Sequence, residues 1–190
     1  GTYGFTGIDF TNSLSPMAGI VFNPNTCDPA LEGADAYAGD KYLAMFAAVD
    51  GPNNDWMISP ELTGGMAYKI DFWAKSFTIN YGAERLKVGY STTTNDPGAF
   101  TFVQGGAYME LPEEWTNYTY DFPAGTKFIA VVCVSDDAFI TFIDNVAIDP
   151  VGGSGIVEVE KNHVSIYPNP VQEVLNVSAT GFDKVEIVNF

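Results

Sequence analysis

The chain has few basic residues. Its 190 residues include 8 Lys and Arg against 24 Asp and Glu, which gives a formal net charge of −16. Nucleic acids and anionic membrane surfaces attract cationic proteins, so this charge excludes both as main partners. The sequence also lacks an apolar run of about 18 residues, so no membrane-spanning helix is expected.

Cysteine and histidine are scarce too. The chain has two cysteines, Cys27 and Cys133, without CxxC spacing, and a single histidine, His163. The usual zinc sites are therefore excluded. The two cysteines fit either one disulfide in an oxidising compartment or two unpaired thiols, since Cys133 lies in a buried-looking strand.

A catalytic set is not apparent either. His163 lies in the linker region, so a Ser–His–Asp or Cys–His arrangement has no base within the body of the chain. Carboxylates are plentiful, but no motif singles out a pair of them for glycoside hydrolysis. We therefore expect the chain not to be an enzyme.

Long helical periodicity is also missing. Turn-forming residues instead separate roughly eight or nine short segments in which apolar and polar residues alternate, as they do in strands. The clearest of these segments are residues 66–77, 84–91, 115–122 and 127–134. The sequence therefore predicts an all-β protein, and a jelly-roll β-sandwich is the architecture of suitable size.

Glycine and serine mark a boundary towards the C-terminus. Residues 1–150 contain the predicted sandwich, residues 151–163 have the composition of a linker, and residues 164–190 form a separate unit. This last unit shows three short strand patterns, around residues 165–167, 174–177 and 185–188. It is too short for an independent core, so we expect the start of a truncated domain or a piece that docks on its neighbour.

One late segment, residues 139–148, carries a carboxylate on an apolar face. The apolar residues predicted to share one side of this strand are Ile140, Phe142, Val146 and Ile148. Asp144 falls among them, because residues two apart on a strand point the same way. A carboxylate there needs hydrogen-bond donors or a cation.

Two interpretations of Asp144 are open. The residue caps its own backbone at a local bulge, or it binds a structural Ca²⁺ together with backbone carbonyls. Oxygen ligands from the acidic, loop-rich front of the chain suit a hard cation, and Asp9 and Asp40 are the candidates there.

Aromatic residues outside the apolar faces are candidates for ligand binding. Trp73, for example, falls on the polar face of segment 66–77. Sugar rings stack on exposed aromatic rings while carboxylates and amides bind their hydroxyls. The aromatics predicted to contact a ligand are Trp56, Trp73, Tyr81 and Trp115. Packing in the core or beneath a loop is the competing interpretation for each.

Several segments occur in an order that resembles a known family. They are residues 54–62 (NDWMISPEL), 70–76 (IDFWAKS), 86–92 (LKVGYST), 115–131 (WTNYTYDFPAGTKFIAV) and 142–148 (FIDNVAI). Together they resemble the cleaved-adhesin, or choice-of-anchor J, domains of secreted Bacteroidetes proteins, which are similar to gingipain adhesin modules. The resemblance implies a non-catalytic jelly roll with structural Ca²⁺, in which Asp144 matches the acidic position of the last strand.

A second resemblance lies near the C-terminus. Residues 165–177, SIYPNPVQEVLNV, are similar to the start of the C-terminal sorting domain recognised by the type IX secretion machinery. It implies export across the outer membrane, to the cell surface or the medium.

The expected function follows from these features together. We expect a secreted or cell-surface, non-catalytic, adhesin-like module that binds a glycan or a host or matrix protein. The alternative is an accessory structural domain of a larger secreted peptidase or hydrolase.

Overall fold

The chain folds as two compact units, Gly1–Gly152 and Gly153–Phe190. The structure is a computed structural model, and it describes residues 6–15, 17–48, 51–63, 65–152, 165–167 and 176–178. Within those ranges, no helix is both long and apolar enough to cross a membrane.

Antiparallel strands make up most of the first unit. They are β1 (Gly19–Phe22), β2 (Tyr42–Phe46), β3 (Asp55–Ile58), β4 (Ala67–Ser76), β5 (Arg85–Ser91), β6 (Thr101–Phe102), β7 (Met109–Glu110), β8 (Thr116–Phe122), β9 (Phe128–Cys133) and β10 (Ile140–Val151). Short 3₁₀ turns occur at Pro24–Thr26, Pro97–Ala99 and Val103–Gly106.

The strands form two facing sheets. One sheet has the order β1-β2-β10-β4-β8, and the other has the order β3-β9-β5-β6, with β7 paired to β5. Successive strands from β2 to β5, and again from β8 to β10, alternate between the sheets, which is the connectivity of a jelly roll. The predicted fold class, an all-β jelly-roll sandwich, is confirmed.

The main core lies between the two sheets. Along β4 every second side chain is buried, as the alternating sequence predicted. The largest fully buried residues of this core are Ile70, Phe72, Leu86, Val88, Leu111, Ile129, Val131 and Ile143. Burying such side chains contributes roughly 1.5–3 kcal/mol each, so this layer supplies much of the stability of the unit.

A second apolar core covers the outer face of the sheet that contains β2 and β10. Tyr42, Ala44 and Phe46 of β2 and Ile140 and Phe142 of β10 point away from the first core. They are covered by residues from the loop-rich front of the chain, namely Ile8, Phe10, Met17, Phe22, Cys27, Leu31, Ala34 and Ala36. We call these covering residues the N-terminal cover; because of them, β2 and the first four residues of β10 are buried on both sides.

β10 contains a β-bulge. Asp144 is opposite Trp73 of β4, whereas Ala147 is opposite Asp71, so β10 has one more residue than β4 between these pairs. Asn145, in the bulge, adopts a φ of 50°. Asparagine tolerates this left-handed conformation better than most residues do.

The bulge corrects one sequence prediction. Val146 and Ile148 were expected to share a buried side with Ile140 and Phe142, but Val146 is 42% exposed. Ile148 packs against the core between the sheets, whereas Ile140 and Phe142 belong to the second core. The extra residue inverts the alternation, because a shift of one position moves every later side chain to the other face.

Both cysteines are unpaired. Cys27 packs in the second core and Cys133 in the first, and neither forms a disulfide. Burial raises the pKa of both thiols. Of the two alternatives left open by the sequence, the structure therefore favours free thiols that pack as small apolar groups.

The second unit contains two described strands, β11 (Ser165–Tyr167) and β12 (Asn176–Ser178). They pair antiparallel, with Ile166 opposite Val177. The third predicted strand pattern, residues 185–188, and the linker with His163 lie outside the described residues.

Candidate functional site

The four predicted ligand-binding aromatics do not share one surface. Trp56 lies on β3, an edge strand of the sheet that also contains β9 and β5. Its ring packs against those of Phe100 and Phe102 at centroid distances of 5.3 and 5.7 Å. Its indole N–H donates to Asn54 Oδ1 at 2.8 Å. Tyr81 is 65% exposed in the loop between β4 and β5, with its ring 5.6 Å from that of Phe139.

Trp73 and Trp115 do lie together, beneath residues 35–38, which we call the strap. The ring of Tyr37 stacks on Trp73 with centroids 3.9 Å apart and an interplanar angle of 14°. The indole N–H of Trp115 donates to the carbonyl oxygen of Asp35 at 3.1 Å. Both tryptophans therefore hold the strap against the outer face of the sheet that contains β4 and β10.

Asp144 also binds the strap. Its Oδ2 accepts a hydrogen bond from the Ala38 N–H at 3.0 Å, and its Oδ1 accepts one from the Asn145 N–H at 2.7 Å. Trp73 of β4 is directly opposite Asp144 in the pairing of β10 with β4. The carboxylate thus caps the backbone at the bulge, which is the first of the two interpretations drawn from the sequence.

The predicted calcium ligands do not form a group. Asp9 is exposed, and its backbone pairs with that of Asp28 at 2.9 Å; Asp40 is exposed just before β2. In the part of the chain that the structure describes, no three Asp, Glu, His or Cys residues are arranged to hold a metal ion. Asp144, Asp9 and Asp40 therefore do not fit a shared cation, and calcium binding at Asp144 stays a prediction.

A polar network lies next to the aromatic pair on the same face. In the pairing of β4 with β8, Trp73 is opposite Asn117 and Asp71 is opposite Thr119. The Asn117 amide donates to Asp71 Oδ1 at 3.0 Å, and the Thr119 hydroxyl donates to Asp71 Oδ2 at 2.7 Å. Three exposed or half-buried polar side chains on two strands are thereby held in fixed positions.

The charge of this network is also fixed. The hydrogen bonds from Thr119 and Asn117 lower the pKa of Asp71, and the positive charge of Lys69 adds to the effect. Lys69 lies opposite Asp121 on β8 and opposite Asp149 on β10. The Asp71 carboxylate is thus ionised at neutral pH, and a lysine lies on the same strand two positions away.

Tyr37 offers an accessible ring beside the network. One side of the ring covers Trp73, and the ring makes an edge-to-face contact with Trp115 at a centroid distance of 6.1 Å. The residue is nonetheless 40% exposed, so part of its side chain is open to solvent. Trp73 and Asp71 are two positions apart on β4, which places the aromatic pair roughly 7 Å from Asp71, and Asn117 is directly opposite Trp73.

We call this surface the aromatic–polar face. It comprises Tyr37, Trp73, Asp71, Asn117 and Thr119. The sequence analysis identified only Trp73 of these residues as a candidate. Tyr37 could not be found that way, since a tyrosine in an irregular loop carries no pattern that shows which strand it will cover.

Glu84 is a further residue that the sequence analysis did not identify. Its side chain is fully buried, and its carboxylate accepts hydrogen bonds from the Phe139 N–H at 2.6 Å, the Thr141 hydroxyl at 3.0 Å and the Ser135 hydroxyl. Burial raises its pKa despite these donors. A signal was present, because Glu84 is in phase with the inward-facing Leu86 and Val88 of β5.

The fold and this face together define a β-sandwich module with an exposed sheet face. A scan against protein-family models finds no match, and a search of curated proteins finds no relative.

Solved structures are similar in fold to a large part of the chain. The K1 cleaved adhesin domain of Lys-gingipain from Porphyromonas gingivalis W83 is 23% identical with a TM-score of 0.53, covering 72% of this chain and 93% of that one. The K2 domain of Lys-gingipain is 17% identical with a TM-score of 0.52, covering 68% and 88%. The K3 domain, also from strain W83, is 23% identical with a TM-score of 0.50, covering 70% and 90%. The chain is thus similar in fold to cleaved adhesin domains.

Proposed function

We propose that the chain is a secreted or cell-surface, non-catalytic binding module whose ligand is a glycan or an extracellular protein. The observation that carries this proposal is the aromatic–polar face, where the accessible ring of Tyr37 lies beside the ordered side chains of Asp71, Asn117 and Thr119. Similarity in fold to adhesin domains supports it.

Among the described residues, Asp71 and Glu84 are the carboxyl groups with shifted pKa values, and both favour binding over catalysis. A general acid needs a raised pKa and access to the substrate. Asp71 is accessible, but its pKa is lowered. Glu84 has a raised pKa, but its side chain has no contact with solvent. Neither residue therefore suits proton transfer to a bound ligand.

Export through the type IX secretion machinery is part of the same proposal. The support is the resemblance of residues 165–177 to the start of a sorting domain. The test is expression in a Bacteroidetes host that has this machinery, with and without residues 153–190, followed by detection in the medium and on the cell surface. Equal retention of both forms in the periplasm would contradict this part of the proposal.

The binding role is tested directly with the purified chain. Native gels that contain galactan, xylan, mannan or glucan measure retardation by glycans, and wells coated with collagen measure binding to a matrix protein. Retention in either assay supports a binding module. Absence of both contradicts it and favours the accessory structural role beside a larger secreted enzyme.

A further inference from the structure

We infer that the aromatic–polar face binds a neutral carbohydrate, with a sugar ring on Tyr37 and sugar hydroxyls on Asp71, Asn117 and Thr119. This inference rests on the proposed binding function and names both the site and the ligand class. Four observations carry it: the place of the face in the sheet, its free hydrogen-bonding capacity, its charge and its accessible ring.

The face spans an interior strand and an edge strand. β4, which carries Asp71 and Trp73, is paired with β10 on one side and with β8 on the other, so the backbone groups of its central residues are already engaged. Asn117 and Thr119 lie on β8, the edge strand of this sheet. An extended peptide that added to β8 would lie in the plane of the sheet, whereas Tyr37 stacks on Trp73 above β4. Recognition by Tyr37 and Asp71 together must therefore come from side chains.

The free hydrogen-bonding capacity of the face consists of acceptors. The Asn117 amide nitrogen donates to Asp71 and, at 3.4 Å, to the carbonyl oxygen of Phe72, and the Thr119 hydroxyl uses its single proton on Asp71. The Asn117 side-chain oxygen also lies 3.4 Å from the Thr119 hydroxyl oxygen. What remains for a ligand is the second lone pair on each Asp71 oxygen and the remaining lone pairs of the Asn117 and Thr119 side-chain oxygens. A matching ligand is rich in donors, as a polyhydroxyl compound is.

The charge of the face favours a neutral ligand. An anionic ligand would meet Asp71, and the neighbouring row adds Asp121 and Asp149. Lys69 offsets only part of this negative charge. A neutral sugar, whose hydroxyls donate hydrogen bonds, meets no such repulsion.

The accessible ring completes the site. The Tyr37 ring is held by its stacking on Trp73 and by its edge-to-face contact with Trp115, so little side-chain freedom is lost when a ligand packs on its exposed part. A sugar ring presents its C–H groups to such a ring while its hydroxyls point outward. Asp71, roughly 7 Å further along β4, and its partners on β8 then receive those hydroxyls.

The experiment compares variants of the whole chain in gels that contain neutral galactan, xylan, mannan or glucan. Tyr37→Ala should weaken binding about ten-fold, since it removes the stacking surface, whereas Tyr37→Phe should keep it within about two-fold. Asn117→Ala and Thr119→Val should each weaken binding about five-fold, the equivalent of one neutral hydrogen bond. Tyr108→Ala, at an exposed tyrosine on the side of the other sheet, is the matched control and should bind like the wild type.

The outcomes separate this inference from the proposed function. If the wild type binds a polysaccharide and the face variants bind equally well, the face is not the site, although the binding function stands. If the wild type binds collagen and none of the polysaccharides, the ligand class is wrong. If it binds neither, both proposals fail. Thermal melts identify any variant that lost binding by unfolding. If Tyr37→Ala releases the strap, the single variants Tyr37→Phe, which keeps the ring, and Thr119→Val still test the face.

Discussion

Glu84 is the residue whose burial has the clearest energetic consequence. Its carboxylate is surrounded by Ser135, Phe139 and Thr141, which lie at the end of β9, in the following turn and at the start of β10. Burial raises its pKa in the folded protein, so the folded state binds this proton more tightly than the unfolded state. Its contribution to stability is complete below the unfolded pKa of about 4.3 and is lost as the pH rises through the higher folded pKa.

Glu84→Gln tests this linkage, because glutamine cannot ionise. We expect the free energy of unfolding of Glu84→Gln, relative to that of the wild type, to increase as the pH rises above about 4 and then to level off. Urea titrations across this pH range measure it. Glu114→Gln, at an exposed glutamate, is the control, and a Glu84→Gln profile parallel to that of the wild type would refute the argument.

Asp144 gives a prediction that separates its two interpretations. Asp144→Ala removes the acceptor for the N–H groups of Ala38 and Asn145, so we expect a loss of about 1–3 kcal/mol in the free energy of unfolding. If capping is its role, the loss is the same in calcium and in EDTA. A loss seen only in calcium would instead identify Asp144 as a cation ligand, because a ligand of the folded state stabilises it by mass action.

The sequence identified those residues of this region that interrupt the alternation of apolar and polar residues along a strand. Trp73 is an aromatic on a polar face and Asp144 a carboxylate on an apolar one, and each departure indicated an unseen partner. In the structure that partner is largely the strap, through Tyr37 and Ala38. The partner itself could not be predicted, because residues 35–38 have no periodicity and are placed only by the tertiary fold.

Among the elements, β4 and β10 show why some strands are predictable from sequence and others are not. In β4 the alternation is unbroken, so its residues sort correctly into a buried and an outer face. β10 is buried on both faces over its first four residues and carries a bulge directly after them. Neither feature leaves a period of two in the sequence, and the predicted phase therefore failed after Asp144.

β5 contains a glycine that packing requires. A Cβ at Gly89 would lie 3.0 Å from Cδ1 of Phe102 and 3.0 Å from the carbonyl oxygen of Thr101, both on β6. We expect Gly89→Ala to displace β6 and to lower the free energy of unfolding by about 1–3 kcal/mol in urea denaturation. Gly98→Ala is the matched control, since nothing lies within 4 Å of its added methyl group. Equal stability of the two variants would show that Phe102 moves aside freely.

For the whole first unit, the N-terminal cover is as much a part of the core as the strands are. The segments that resemble adhesin domains all lie after residue 41, yet Tyr42, Phe46 and Phe142 are buried by residues that precede it. We expect residues 1–152 to fold when produced alone and residues 41–152 to expose an apolar sheet face. Circular dichroism and binding of a hydrophobic dye measure this, and a cooperative, dye-free melt of residues 41–152 would contradict it.

The central position of β10 determines how the first unit carries mechanical load. The chain leaves this unit from β10, which lies between β2 and β4 and pairs with β4 from Thr141–Ser76 to Val151–Ala67. Tension on the polypeptide beyond Val151 pulls β10 along its own axis, so the hydrogen bonds to its neighbours are sheared together rather than opened one after another. The aromatic–polar face spans β4 and β8, so a force between a ligand held there and an attachment on the C-terminal side crosses the pairing of β10 with β4. Resistance to that force depends on the unfolding rate of this one sheet, and the opposite sheet carries little of the load.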